Sequence, residues 1–357
     1  MRLFRIMLSP ILLPISLLYG LVVFIRNRFY DYGLKHSSKF DIPIICVGNI
    51  TVGGTGKTPH VEYLINLLKS DFSIASLSRG YKRKTEGFIL STSESTDHEI
   101  GDEPRQIKKK FPEIHVAVDA YRTNGIKQLL LHNPNINAIL LDDAFQHRKV
   151  KPGLSILLVD YSRPLHRDFI LPFGNLREHA FEKKRADIIV ITKAPTHLSE
   201  ADQMIFLNKL NPCSNQKVFF STFSYGNLVP VFNHDNVIAV SDLGNPSILM
   251  ISGIANPKPL KKYITENISK NIQVLEYSDH YNFKESDFKD IEKKFKEIDS
   301  NSKIIITTEK DAMRLQKFSN IANNVKELFF YIPIKVDFLN NQADIFNQQI
   351  IEYVRKN

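Results

Sequence analysis

The chain has 357 residues, 43% of them hydrophobic and 24% charged, which excludes a disordered polypeptide and leaves room for two domains with real cores. Lysine and arginine outnumber aspartate and glutamate by 47 to 38, and the formal charge of +9 favours an anionic partner such as phosphate, an acidic membrane surface or nucleic acid. Only Cys46 and Cys213 are present, far apart and without metal-ligand spacing, so a disulfide framework is excluded and the compartment reads as reducing.

The amino-terminal run from Met7 to Ile25, MLSPILLPISLLYGLVVFI, holds 19 residues without a charge, between Arg2 and Arg5 on one side and Arg26 and Arg28 on the other. At about 1.5 Å per residue such a helix would just cross a ~30 Å hydrocarbon core, although Pro10, Pro14 and Gly20 weaken a straight span. The run ends in Phe24, Ile25 and Arg26 rather than at a small-residue cleavage site, which argues against a secretion signal. A buried core helix would share this composition; the preferred reading is an uncleaved anchor, either spanning the bilayer or lying in its surface. Arginines on both flanks leave its orientation open.

From Asp41 onward, short apolar runs alternate with helical patterns: PIICVGN, FSIASLSRG, IHVAVDA, INAILLDD, LSILLVD and ADIIVITK. Continuous apolar runs suit strands buried on both faces of a parallel sheet. Between the first two, Val61, Leu64, Ile65 and Leu68 recur at helical spacing, so the opening unit is strand, loop, helix, strand. The pattern changes around residues 211–230, and a second α/β set follows with SILMISGI, a helix face of Phe288, Ile291, Phe295 and Ile298, then KIIITTEKD and ELFFYIPIKV. The expected organisation is an anchor over residues 1–35, a P-loop NTPase-like parallel-sheet core over 36–215, and a smaller α/β domain over 216–357.

Directly after the first strand comes Thr51-Val52-Gly53-Gly54-Thr55-Gly56-Lys57-Thr58, which matches the phosphate-binding loop G-x-x-x-x-G-K-[ST] except that Thr51 replaces the first glycine. A strand before it and an amphipathic helix after it aim backbone N–H groups and a helix dipole at a phosphate chain. Gly53, Gly54 and Gly56 let the backbone close around the anion, Lys57 supplies charge to the β and γ phosphates of a nucleotide, and Thr58 offers a hydroxyl to Mg²⁺. Pro59 in the helix's first turn costs little, because that N–H has no intrahelical partner. A second metal ligand is expected at the end of a neighbouring buried strand, where INAILLDDAFQHR supplies Asp142 and Asp143. Which of the two touches the metal is open.

Spacing does not single out a base for the nucleophile. Asp102 and Glu103 in HEIGDEPRQ read equally as a proton acceptor or as solvated loop charge, and an isolated histidine such as His280 in SDHYNF is more often structural or exposed than catalytic. The cluster Arg79, Tyr81, Lys82, Arg83 and Lys84 has a plain reading as a solvated basic loop.

Taken together and in order, VGNITVGGTGKTP, LSRGYKR, GDEP, LLDDAFQHR, LPFGNLRE, SGIANP, DHYNF and TTEKDAMRL resemble the tetraacyldisaccharide 4′-kinase family of lipid A biosynthesis, from the anchor to about Leu315. The resemblance accommodates Thr51, since the family carries a hydroxyl residue there. It implies a monotopic enzyme on the cytoplasmic face of the inner membrane that moves the γ-phosphate of ATP, with Mg²⁺, to the 4′-hydroxyl of a membrane-embedded lipid A disaccharide 1-phosphate, giving lipid IVA. It further implies that Asp102 and His280 form the pair that prepares the sugar hydroxyl, and that Tyr81, Arg177 and Glu178 lie near the acceptor and phosphates. A guanidinium fork suits phosphate oxygens. His179 stands where proline is usual after Arg-Glu, and the FGN sequence also departs from the family, so the shape of this loop is its least transferable feature.

Two other classes compete. A membrane-associated P-loop ATPase or GTPase switch would use the same loop; IVITKAP is superficially similar to a guanine-reading motif, but Ala194-Pro195 follows Thr192-Lys193 where that motif needs an aspartate. A lipid-binding scaffold would leave Gly-Lys-Thr and the paired aspartates without a task. No basic segment interleaved with aromatics supports nucleic-acid binding, and no obligate protein partner is evident.

Overall fold

The computed structural model describes residues 7–232, 237–279, 281–316, 318 and 321–357. The α/β reading holds. The chain divides into two compact units, one of Met1–Phe223 with Val336–Asn357 and one of Ser224–Lys335.

The strands in chain order are β1 (Ile44–Gly48), β2 (Ile74–Ser78), β3 (Ile89–Leu90), β4 (His115–Val118), β5 (Ala138–Asp142), β6 (Leu154–Asp160), β7 (Ile188–Thr192), β8 (Lys217–Tyr225), β9 (Val229–Pro230), β10 (Ser247–Ser252), β11 (Ile272–Glu276), β12 (Lys303–Thr308), β13 (Phe329–Ile332) and β14 (Ile334–Phe338). Among the described residues, a nine-stranded sheet runs β14-β8-β7-β6-β1-β5-β2-β4-β3. Its centre is parallel: β1 lies between β5 and β6, with Val47 opposite Asp142 and Gly48 opposite Leu157. The period of two sorts β1 cleanly, because Ile45 and Val47 enter the core on one face while Ile44 and Cys46 enter the core on the other. Helix Lys57–Leu68 buries Val61, Leu64, Ile65 and Leu68 against the first of these faces, as its spacing predicts. The chain leaves β1 toward β2 on one side of the sheet while β6 lies on the other, so the loop after β1 opens at the reversal of strand order, where parallel sheets gather ligands.

The sequence pattern groups residues 216–357 together, whereas β8 starts in the first unit and the C-terminal segment belongs to it. Phe346, Ile350 and Val354 of helix Ala343–Lys356 join the same core as Val47. Tyr353 fixes that helix to β1, its hydroxyl accepting from Ile44 N at 3.1 Å and donating to Ile44 O at 3.2 Å. The apolar run ELFFYIPIKV is two strands, because Pro333 lacks an N–H for the ladder.

In the second unit the order among the described residues is β11-β10-β12-β13-β9, parallel except at the β9 edge. Phe288, Ile291, Phe295 and Ile298 pack there with Leu249, Ile251 and Ile305, which is the helix face read from the sequence.

The apolar amino-terminal helix, Ser9–Asp31, departs from a core helix in a telling way. Its buried positions are Ser16, Gly20, Val23 and Asn27, mostly small or polar, whereas Ile11, Leu17, Leu18, Leu21, Val22 and Ile25 are exposed. Only 17% of its most apolar stretch is buried. A soluble helix hides its apolar face and shows its polar one; this one does the reverse, which suits membrane association.

Candidate active site

The glycine loop is shaped by backbone demands that the sequence meets. Gly53 and Gly56 sit at φ 96° and 87°, conformations that residues with a Cβ rarely adopt. Gly48, just before the loop, is forced by packing, since a Cβ there would lie 2.9 Å from the backbone nitrogen of Phe145. Helix Lys57–Leu68 begins with no side-chain cap, so its first N–H groups remain available to an anion. Asn49 Nδ2 donates to Thr55 Oγ1 at 2.8 Å, and Gln146 Nε2 donates to Asn49 O at 2.7 Å, which ties the loop to the turn after β5.

That turn carries the paired aspartates. Asp143, in a left-handed conformation at φ 49°, faces two cations: Lys57 Nζ at 3.7 Å and Arg177 Nη1 at 3.1 Å. Asp142 is 2% exposed. Burial pushes its carboxyl up to about 7, helped by the negative charges of Glu103 and Asp143 and opposed by Lys57 and Arg122. Its Oδ1 has no hydrogen-bond partner among the described residues. An orphaned, buried carboxylate oxygen crowded by like charge is what a divalent cation would relieve, and Thr58 and Asp143 complete a suitable donor set. Among the described residues no group of three His, Cys, Asp or Glu is gathered closely enough to hold a metal ion by itself.

Arg177 arrives from the LPFGNLRE segment, which lies along the glycine loop. Val52 N donates to Asn175 O at 2.8 Å, Arg177 N donates to Ile50 O at 2.7 Å, and Thr51 and Leu176 form an antiparallel bridge. The same segment holds the amino-terminal helix. Ser16 Oγ donates to Ile170 O, Tyr19 OH donates to Arg177 O at 3.1 Å, and His179 Nε2 lies 3.2 Å from Gly20 O. Glu178, expected beside the acceptor, is fully buried, its carboxylate engaged by Arg26 at 2.8 Å, by Asn27 at 3.2 Å and by Arg185. Its charge therefore goes into holding the helix and the loop together.

Gly80 and Gly101 bring the basic loop against GDEP: a Cβ on Gly101 would lie 2.9 Å from Tyr81 O, and one on Gly80 would lie 2.8 Å from Ile100 O. Asp102 and Glu103 open helix Asp102–Lys110, and Tyr81 is 63% exposed. His280 lies outside the described residues.

Over residues 8–355 the chain matches the sequence profile of the family described as tetraacyldisaccharide-1-P 4′-kinase. It is 46% identical over 355 residues to the tetraacyldisaccharide 4′-kinase of Bacteroides thetaiotaomicron, covering 97% of this chain and 93% of that one. It is 48% identical over 351 residues to that of Bacteroides fragilis, with the same coverage. The crystal structure of LpxK from Aquifex aeolicus in complex with ATP superposes with a TM-score of 0.76 at 28% identity, covering 98% of this chain and 99% of that chain. The chain belongs to the tetraacyldisaccharide-1-P 4′-kinase family.

Within this family member, several side chains around the site carry no motif that a sequence reading could seize. Arg122 is buried, with Nη1 donating to Asp119 O at 2.9 Å and Nη2 to Asp142 O at 3.4 Å; burial holds its guanidinium down to about 10. Gln146 bonds Asn49, two residues before the glycine loop, and Arg163 bonds Val52 within it, both from distant points in the sequence. Only the fold assembles them.

His60, two residues after Thr58, yields a prediction. Its Nδ1 lies 2.7 Å from Gly56 O and its Nε2 3.0 Å from Ser221 Oγ, so the neutral ring with a proton on Nδ1 satisfies both. Burial pushes the imidazole down from 6.5 to about 4. The unfolded chain therefore binds the extra proton first, and this contribution to stability is complete above pH 6.5 and is lost as pH falls toward 4. The full effect is on the order of 3 kcal/mol. The unfolding midpoint of the natural chain should fall more steeply between pH 6.5 and 4 than that of His60→Gln, followed by circular dichroism; parallel slopes would refute the assignment.

Proposed function

We propose that this chain transfers the γ-phosphoryl group of ATP to the 4′-hydroxyl of a tetraacyldisaccharide 1-phosphate, a step that yields lipid IVA and ADP. The observation that carries the reading is the convergence of Lys57, Asp143, Arg177 and the orphaned Asp142 at the mouth of the glycine loop, in a chain matched to the family over residues 8–355.

The loop from Thr51 to Thr58, with its glycines and the open helix start, receives the nucleotide phosphates. Lys57 stabilises charge on the oxygens of the phosphoryl group in flight. Mg²⁺, held by Thr58 with Asp142 and Asp143, would neutralise charge developing between the β and γ phosphates. Arg177, whose Nη1 bonds both carboxylate oxygens of Asp143, is assigned to phosphate oxygens of the substrates, a role its guanidinium chemistry supports. Tyr81, exposed beside GDEP, is assigned to the sugar acceptor in this reading. Glu178 supports this array from beneath by fixing the segment that carries Arg177.

The acceptor oxygen attacks the γ phosphorus, the bond from that phosphorus to the bridging oxygen breaks, and ADP departs. The hydroxyl proton passes to Asp102. The exposed apolar helix Ser9–Asp31 seats the enzyme in the inner membrane with its site on the cytoplasmic side, where ATP is available and acyl chains of the acceptor can stay in the bilayer.

The test is transfer of labelled γ-phosphate to the disaccharide 1-phosphate in detergent micelles. Asp102→Ala should lower the rate by roughly 10²- to 10⁴-fold, the range of general base catalysis. A natural chain that hydrolyses ATP without ever labelling the lipid would move the ATPase-switch reading to the front.

A further inference from the structure

The TKAP sequence at the end of β7 is not absorbed by the reaction above, and the structure gives it a place. Lys193, left-handed at φ 56°, directs its ammonium to Gly54 O and to Asp160 Oδ2, the latter at 2.7 Å. Thr192 Oγ1 donates to Thr55 O at 2.9 Å. From the end of β6, Arg163 Nη1 donates to Val52 O at 3.3 Å while its Nη2 pairs with Asp160 at 3.3 Å. Asp160 is 3% exposed and is also bonded by Ser162 N and Oγ, so the support for both cations is rigid.

In a trans peptide the carbonyl and the following N–H point in opposite directions. Pinning the carbonyls of Val52, Gly54 and Thr55 from one side therefore turns the N–H groups of Gly53, Thr55 and Gly56 to the other. Among the described residues no backbone carbonyl accepts from any of these three. We infer that Lys193, with Thr192 and Arg163, is a positioning residue that presets the glycine loop as an anion cradle by holding its carbonyls from behind, and that it acts on the phosphate chain rather than on the base. Pro195, which stands where a base-reading aspartate would, fits this division of labour.

The inference rests on the nucleotide reading of the loop, and the experiment separates the two. Binding of ATP and of inorganic tripolyphosphate is measured on the full chain for the natural protein, Lys193→Met and Lys193→Arg. The methionine keeps the stem and loses the charge-assisted bonds, and should weaken both ligands by the same factor, about ten-fold. Arginine should restore most of both, and KM for ATP should rise more than kcat falls. A merely structural lysine would lower the unfolding midpoint without this matched loss. Weakening confined to ATP would make Lys193 a base contact and overturn the inference, as would binding unchanged in Lys193→Met. A natural chain that binds neither ligand would remove the nucleotide reading itself, and the inference with it.

Discussion

Lys57→Met is expected to slow phosphoryl transfer by roughly 10³-fold or more while leaving the unfolding midpoint almost unchanged. The two halves of that expectation come from different physics. In the resting protein the lysine's visible partner is Asp143 at 3.7 Å, and that carboxylate keeps Arg177 at 3.1 Å when the lysine is gone. A loose, partly solvated pair of this kind contributes under about 1 kcal/mol to stability. During transfer the same ammonium, 14% exposed at the mouth of the loop, meets negative charge spread over phosphoryl oxygens. Losing one preorganised donor at such a position costs about 10²- to 10³-fold, and a full charge costs more. Single-turnover transfer with saturating ATP is the measurement; a loss below ten-fold would mean that another cation bears the transferred group. Lys57→Arg should recover little, because a planar fork on a longer stem does not reproduce a point charge held by the loop.

How much of this site was legible beforehand depends on whether the physics is local. The glycine loop was readable because positive φ, strand burial and helix start each leave a mark within a few residues, and Gly53, Gly56 and the Lys57–Leu68 helix stand where those marks put them. The aspartates at the end of β5 were readable for the same reason, as a polar stop to an apolar run. What the sequence could not display is which charges are paired away from solvent. Arg177 and Glu178 are neighbours in the chain, yet one reaches toward Asp143 while the other turns inward to Arg26 and Arg185, more than a hundred residues from the first of these. The sequence marks Lys193 only by the aspartate missing after it, whereas its contact with Gly54 depends on β7 and β1 sharing a sheet. The C-terminal segment followed the apolar run before it in the sequence pattern; a single proline separates strands that lie in two different sheets.

Glu178→Ala should show the complementary behaviour to Lys57→Met, a large loss of stability from a residue that touches no phosphate. The glutamate is fully buried, with Oε1 taken by Arg26 and Asn27 and Oε2 by Arg185. Removing one partner of a buried ion pair leaves the other charge uncompensated, at a cost of about 3–5 kcal/mol. Two features place this case at the lower end. Arg26 is 36% exposed and regains water when released, and Arg185 keeps Glu182 at 2.9 Å and lies over the Phe145 ring at 4.3 Å. A loss of about 3 kcal/mol corresponds to a fall of roughly 6–12 °C in the unfolding midpoint. Because the chain contains no tryptophan, circular dichroism in detergent is the suitable probe. Glu178→Gln, which keeps hydrogen-bond acceptance without the charge, should fall between the two. The loss should extend to activity, since the segment that Glu178 anchors also bonds Ser16 and Tyr19 of the apolar helix and carries Arg177. If Glu178→Ala melts with the natural chain, the buried pair contributes nothing net, and the helix must be held by its remaining contacts alone.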